Sequence, residues 1–389
     1  MTNKKKFKFI AGSVLTSALL FGLFQNFSPL APAPVCSSAK MAEILAAPTT
    51  KTPSVQIDCS FQLKATNTIK KQLVLEGSKA TGVVVDCNGG KIETAHTSLA
   101  VLITSLKGAD NLTWVAPKKV HIKNCIINGS IRTVGMATNG EGAILRESSR
   151  IDANHTARAQ ASAPSEINLE NLTIQTGSSI PLYIGPGSTK VRLYDSRING
   201  KSPSVAVYMD AESAQNQISN NVFEIASVDR ELIAIDGSAN NLVSGNVFKN
   251  ILAGGVFIYR NCGEGGTIRH QKPSGNIIRK NKFYHQDFES INVGSRKANS
   301  IYCSYDAGFP YGSSANDFDF AENTTITGNT FYLNNKKESY FSRFVISSSE
   351  QSTSISDNTA VGLQMNRVGF MERVFGKYTD AGQNISEVK

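Results

Sequence analysis

Three short segments concentrate the groups that do chemistry: Tyr208-Met209-Asp210-Ala211-Glu212-Ser213, Ile235-Asp236-Gly237-Ser238 and Tyr259-Arg260-Asn261-Cys262-Gly263-Glu264. Side by side, Asp210 and Asp236 would repel unless a cation or a proton came between them. One carboxyl would then keep its proton above the usual range, as an acid–base pair requires. Two such carboxylates can instead hold Ca²⁺ through oxygen ligands, or Arg260 can neutralise them. Further candidates stand close by in sequence: Tyr208, Glu212, Arg230, Glu231, Glu264, and the pair Arg269-His270. His270 is a candidate base or ligand, and the arginines can grip carboxylates bidentately. The plain alternative is a ladder of charges that only crosslinks neighbouring segments. Tyr183, Tyr208 and Tyr311 are candidates for stacking on sugar rings, each with a structural role as its alternative. Asp317-Phe318-Asp319 with Glu322 has Ca²⁺-ligand character, although acidic loops are usually only solvated.

These groups need elements that bring them together, and the sequence supplies a repeat. A polar stretch followed by an apolar anchor recurs as Lys123-Asn124-Cys125-Ile126-Ile127, Glu170-Asn171-Leu172-Thr173-Ile174 and Tyr194-Asp195-Ser196-Arg197-Ile198. It continues through Ser219-Asn220-Asn221-Val222-Phe223, Ser244-Gly245-Asn246-Val247-Phe248, Arg279-Lys280-Asn281-Lys282-Phe283 and Thr327-Gly328-Asn329-Thr330-Phe331. Successive anchors Ile174, Ile198, Phe223 and Phe248 recur about every 25 residues. Wider gaps before Phe283 and Phe331 mark insertions. Between anchors lies a second alternating run: Val205–Met209, Leu232–Ile235, Val256–Tyr259, Ser290–Val293. Short β-branched runs between Gly, Asn and Ser turns predict strands, and a period of this length is one coil of a parallel β-helix. A lone coil cannot bury its apolar face; stacking buries it and extends hydrogen bonds along the axis at about 4.8 Å per layer. Asn at the turns suits left-handed backbone geometry. Aligning Met209, Ile235, Tyr259 and Val293 as one inward column places Asp210, Asp236, Arg260 and Gly294 on successive coils, with Arg146 before and Ser347 after. Three insertions, 131–165 (with Arg146, Arg150 and His155), 262–274 and 296–322, would wall a groove beside this ladder.

These turn repeats resemble the right-handed parallel β-helix superfamily of pectin-lyase-like proteins, over Val55 to Ala360. The resemblance implies an all-β, single-stranded right-handed parallel β-helix solenoid with loop insertions and a C-terminal capping helix at 363–378. It also implies work on polysaccharides: relatives include polysaccharide lyases, galacturonan hydrolases and mannuronan epimerases. Lyases and epimerases take a proton from C5 of a uronic acid and neutralise its carboxylate; hydrolases need two carboxylates. The hydrolase set Asn-Thr-Asp, Asp-Asp, Gly-His-Gly and Arg-Ile-Lys is missing, as are the epimerase Asp-Pro-His-Asp and a familiar pectate-lyase signature. No catalytic residue carries over, and fold does not imply function. The leading expectation is a lyase on an anionic glycan, with Arg260 or His270 as base and Asp210 with Asp236 on a cation. Hydrolysis by Asp210 and Asp236, or glycan binding without catalysis, are the alternatives.

Composition agrees with this class. The chain has 389 residues, 40% hydrophobic and 18% charged, which excludes a disordered protein. Its formal charge of +9 falls to about +5 without Lys4, Lys5, Lys6 and Lys8, and no basic run argues for nucleic acid. Those lysines precede an apolar stretch, Phe9 to Phe24, too short for a comfortable membrane span and followed by small-residue sites. The expected organisation is an export signal at 1–39 cut after Ala39, a linker at 40–54, the β-helix at 55–375 and a tail at 376–389. A secreted or periplasmic monomer is expected, with no membrane span after cleavage. Export permits disulfides. Cutting after Ala39 removes Cys36; Cys262 with Cys303 and Cys59 with Cys87 are the expected pairs, which leaves Cys125 free.

Overall fold

The computed structural model describes residues 32–94, 98–110, 113–249, 251–261, 263–285, 289–294, 313–314, 321–333, 345–348, 352–361, 379–380 and 385–387. Several expectations lie outside them: the export signal's first 31 residues, Cys262, Cys303, Tyr311, Asp317, Asp319 and the capping helix. The side chain of Glu264 also lies outside.

Three long parallel sheets carry almost all the regular structure. Among the described residues the first has ten strands and the second and third eleven each. One coil takes a strand from each in turn, as in Val207–Met209, Gln217–Ser219 and Val222–Ser227. Equivalent strands of the next coil lie alongside in parallel, as Leu193↔Ile218 and Ile198↔Phe223 show. The expected all-β solenoid is thus the observed architecture.

The corner between the second and third sheets explains the repeat. One residue there takes the left-handed conformation: Asn124, Asn171, Asp195, Asn220, Gly245, Lys280, Gly328 and Asp357 on successive coils. Asn, Asp and Gly tolerate this geometry better than other residues. The residue after each corner points inward, and from Asn221 it is asparagine on every coil. Asn221, Asn246, Asn281 and Asn329 each donate an Nδ2 hydrogen to the Oδ1 of the next, all at 3.0 Å, ending on Asn358. Each buried amide thereby finds partners on both neighbouring coils, which a buried polar group requires. Two residues further on, Phe223, Phe248, Phe283 and Phe331 stack inside with centroids 4.8, 4.7 and 5.1 Å apart.

Helix α1 (Ser38–Leu45) closes the N-terminal end. Its Ile44 is fully buried against the first coils. The segment expected as a linker from residue 40 therefore begins as helix. Cys36, expected to leave with the signal, is bonded to Cys59, and Cys87 is bonded to Cys125. The expected Cys59–Cys87 pair is corrected by register. Phe61 lies beside Val85, so Cys59 sits two residues before that rung and Cys87 two after it. Their matching local sequences belong to opposite ends of the strand. No helix among the described residues is long and apolar enough to cross a membrane.

Register also corrects the ladder. Met209 pairs with Ile235, Ile235 with Ile258, and Ile258 with Val293. Ile258, not Tyr259, fills the inward column. Tyr259 therefore follows Asp210 and Asp236 on the ladder, and Arg260 falls one position beyond. Ser347 lies beside Asn292, in the neighbouring column.

Candidate functional site

Asp210 and Asp236 close first-sheet strands on adjacent coils. The cation between them comes from an insertion. After Tyr259 the chain leaves the coil, turns through Glu264–Gly266 and returns as the short strand Ile268–Arg269, which pairs with Ser313–Ser314. Arg269 Nη1 lies 3.2 Å from Asp210 Oδ1 and 3.3 Å from Asp236 Oδ2. The three side chains are 5%, 1% and 0% exposed. Gly140, from the 131–165 insertion, roofs them: a Cβ there would stand 2.6 Å from Arg269 Nη2 and 3.0 Å from Asp210 Oδ1. Burial pushes the Asp210 carboxyl up, against the pull of Arg269. For Arg269, burial opposes the charge, but the Asp236 and Asp210 carboxylates hold the guanidinium well above its ordinary range.

Two tyrosines complete the carboxylates' shells. Tyr183 Oη donates to Asp210 Oδ2 and Tyr208 Oη to Asp236 Oδ2, each at 2.5 Å. Their rings stack at 5.0 Å and 6°. Burial first, then the adjacent carboxylates, pushes both phenols well up, so both keep their protons. Arg132 lies in register with Tyr183, its Cζ 4.1 Å above the ring centre. This column continues along the outer face of the first sheet through Tyr208, Ala234, Phe257, Asn292 and Ser347. Half-buried Ile180, Tyr208 and Phe257 pack there around Val205, Ala234 and Tyr259 in an apolar cluster separate from the core. At its edge Arg230 holds Glu231 with two hydrogen bonds of 3.0 and 2.8 Å, and Tyr259 Oη donates to Glu231 at 2.7 Å. Burial works to raise the Glu231 carboxyl, but Arg230 prevails and holds it low.

The remaining sequence candidates anchor the insertions. Glu212 is buried and in the left-handed conformation. It accepts from Thr156 Oγ1 at 2.5 Å, His270 N at 2.8 Å and Gln271 N at 3.2 Å, and burial raises its carboxyl. Thr156 belongs to helix α3 (His155–Ala161), and Ser149 ends helix α2 (Ala143–Ser149). His270 Nε2 lies 2.7 Å from the Ser149 carbonyl, which makes it the donor there, and the His155 ring lies nearby, tilted by 51° with centroids 5.1 Å apart. Burial, then the charges of His270 and Arg158, lowers His155 to about 3 and keeps it neutral. Arg260 is fully buried and donates to the carbonyls of Arg269 (3.4 Å) and His270 (3.2 Å). It holds the insertion strand instead of facing the carboxylates.

The structure thus brings Asp210, Asp236, Glu212, Arg269 and His270 together and sets Arg260 behind them. The sequence reading missed Arg132 and Gly140. Neither sits in the repeat pattern at a position that marks it, and their roles arise from register and from an insertion. A Ca²⁺ bridging Asp210 and Asp236 does not fit, because the Arg269 guanidinium fills that place. Among the described residues no group of three or more His, Cys, Asp or Glu side chains is arranged to hold a metal.

Residues 105–276 match the family model described as "Right handed beta helix region". With the sheet topology, this defines the fold as a right-handed parallel β-helix. No curated protein matches the chain in sequence. Among solved structures, the chain is similar to an alginate lyase from Paenibacillus sp. str. FPU-7, at 12% identity and a TM-score of 0.29, over 81% of this chain and 92% of that one. It is also similar to the A-modules of two mannuronan C-5 epimerases of Azotobacter vinelandii. AlgE6 matches at 12% identity and a TM-score of 0.34, and AlgE4 at 13% and 0.27. Each covers 92% of this chain and 97% of the other.

Proposed function

We propose that the protein is an exported glycan-binding β-helix, which holds an extended acidic polysaccharide along the outer face of its first sheet. The observation that carries this reading is the Arg132–Tyr183–Tyr208 column. A guanidinium sits over the first of two stacked tyrosines, and the column continues past buried Ala234 to half-buried Phe257. Aromatic and apolar surface suits the carbon faces of sugar rings, and a guanidinium already oriented by a ring loses little freedom when it pairs with a carboxylate. Beneath the strip, Arg269 and the buried carboxylates fix both tyrosines by their hydroxyls. Two disulfides fit an oxidising compartment.

Hydrolysis by Asp210 and Asp236 would need both carboxyls to face a glycosidic bond, whereas both face Arg269. A lyase is the second reading, favoured by one contact: Tyr208 is half-buried, protonated and hydrogen-bonded to Asp236, which suits a general acid for the leaving oxygen.

The test is a panel of acidic and neutral glycans incubated with the protein, followed by calorimetric binding, ultraviolet absorbance of new double bonds and reducing ends. Binding of an acidic glycan, weakened by Arg132→Ala and Tyr208→Ala, with neither absorbance nor reducing ends, is the expected result. Absorbance that disappears in Tyr208→Phe replaces it with the lyase. No binding to any acidic glycan sinks both readings.

A further inference from the structure

A second surface, on the coil edge between the second and third sheets, has the makings of a polyanion site. The segment Ile277-Ile278-Arg279-Lys280-Asn281-Lys282-Phe283-Tyr284 turns this corner. Ile278, Asn281 and Phe283 point inward and are fully buried. Arg279, Lys280, Lys282 and Tyr284 are exposed, with Lys280 at the left-handed corner.

Stacked coils usually neutralise such charges from the adjacent rung, as Glu224 does here for both Lys249 and Arg197. Among the described residues this corner has no such partner. Arg279 lies between Ser244 and Thr327, and Lys282 between Val247 and Thr330. Lys280 lies over Gly328 on the following coil. Among the described residues, none of the three cations makes an ion pair. The row ends in an aromatic pair: Tyr284, 41% exposed, stacks on Tyr332 of the next coil at 4.8 Å and 14°. Three like charges on consecutive exposed positions repel one another, and an anionic ligand relieves that repulsion.

We propose that this ridge is a second polysaccharide-binding surface: Arg279, Lys280 and Lys282 take the carboxylates of an acidic polymer while its sugar rings rest against Tyr284 and Tyr332. It rests on the reading that the partner is an acidic glycan, but it lies on a different face from the Arg132–Tyr208 column. Two separate contacts on one polymer raise its affinity over that of a short oligomer without any new chemistry, because the second contact becomes intramolecular.

The test compares the full chain with two variants, R279A/K280A/K282A at the ridge and R132A/Y208A at the first sheet. Probes are polygalacturonate, alginate and hyaluronate, each as polymer and as short oligomer, with dextran as neutral control and duplex DNA as a non-glycan polyanion. The ridge variant should bind acidic polymer at least about tenfold more weakly, keep its oligomer affinity and lose part of the salt dependence. Tyr284→Ala alone should weaken polymer binding several-fold. The substituted side chains at the ridge are exposed, so an unchanged thermal melt is expected. Polymer affinity unchanged in the ridge variant overturns this proposal and leaves the first-sheet reading standing. Loss confined to the ridge variant, with R132A/Y208A unaffected, supports the ridge and overturns the first-sheet site. DNA bound as tightly as acidic glycan overturns the glycan as occupant, and no binding of any acidic glycan overturns both.

Discussion

At the scale of the residue, the decisive contact is Arg269 between two buried carboxylates. Removing one partner of such a group leaves uncompensated charge in the interior, which is far worse than never having placed the group there. Arg269→Met should lower unfolding stability by about 3–5 kcal/mol in a urea titration. Asp236→Asn in that background should restore part of the loss. The pH dependence has a definite sign. Asp210 and Glu212 are raised in the folded state by burial, so their contribution is present below the unfolded carboxylate range and is lost as pH rises through the folded values. Glu231, held low, contributes in the opposite direction: its share is present at neutral pH and is lost on acidification. Asp210→Asn should therefore cost less stability at about pH 7 than at about pH 4, read from denaturation midpoints at each pH. A larger cost at pH 7 would mean that the ion pair with Arg269 outweighs burial at this site.

At the scale of the element, each coil owes its place to a corner residue, the inward amide after it and the apolar anchor beyond. Asn281 shows why the amide matters. Its Nδ2 donates both to Asn329 Oδ1 and to the Val243 carbonyl, so it ties three coils together. Asn281→Ala should destabilise by about 1–3 kcal/mol, because it strands buried partners on both neighbours. Asn281→Asp should be worse, since it adds a buried charge without a cation. A thermal melt of either variant that matched the parent would show that ladder to be dispensable. The insertions behave differently. Glu212 accepts from α3 through Thr156 and from the His270 and Gln271 backbone, Arg260 donates to the Arg269 and His270 carbonyls, and Gln271 donates to the Ser213 and Gly237 carbonyls of the coils, which fixes the strand that carries Arg269 beside Asp210.

At the scale of the whole molecule, a solenoid has only nearest-neighbour cooperation, so its ends open first. The N-terminal end is closed by α1 and held by Cys36–Cys59 and Cys87–Cys125. Reduction, or Cys87→Ser with Cys125→Ser, should lower stability by about 2–5 kcal/mol and raise hydrogen exchange mainly in the N-terminal coils. Uniform exchange along the chain after reduction would contradict nearest-neighbour behaviour. The net positive charge works over longer range: acidic polymers should bind less tightly as salt rises through the range where the Debye length falls below about 10 Å.

Much of this was legible in the order of the residues. The interval between Phe223 and Phe248, the asparagines after each corner and the alternation in Val205–Met209 depend on local backbone geometry and on which side of a strand a residue faces, and both are properties of sequence spacing. Asp210 and Asp236 followed as neighbours for the same reason. Other features depended on what stacked against what. Tyr259 and Ile258 are both acceptable inward residues by pattern, and only pairing with Ile235 decided between them, which displaced Arg260 by one position. Cys59 and Cys87 share a local context, yet register put them at opposite ends of a rung. The cation between the aspartates came from an insertion, whose path no periodicity constrains: Arg269 reached the pair because Arg260 and Glu212 hold its strand there, and only a glycine at 140 leaves room above it.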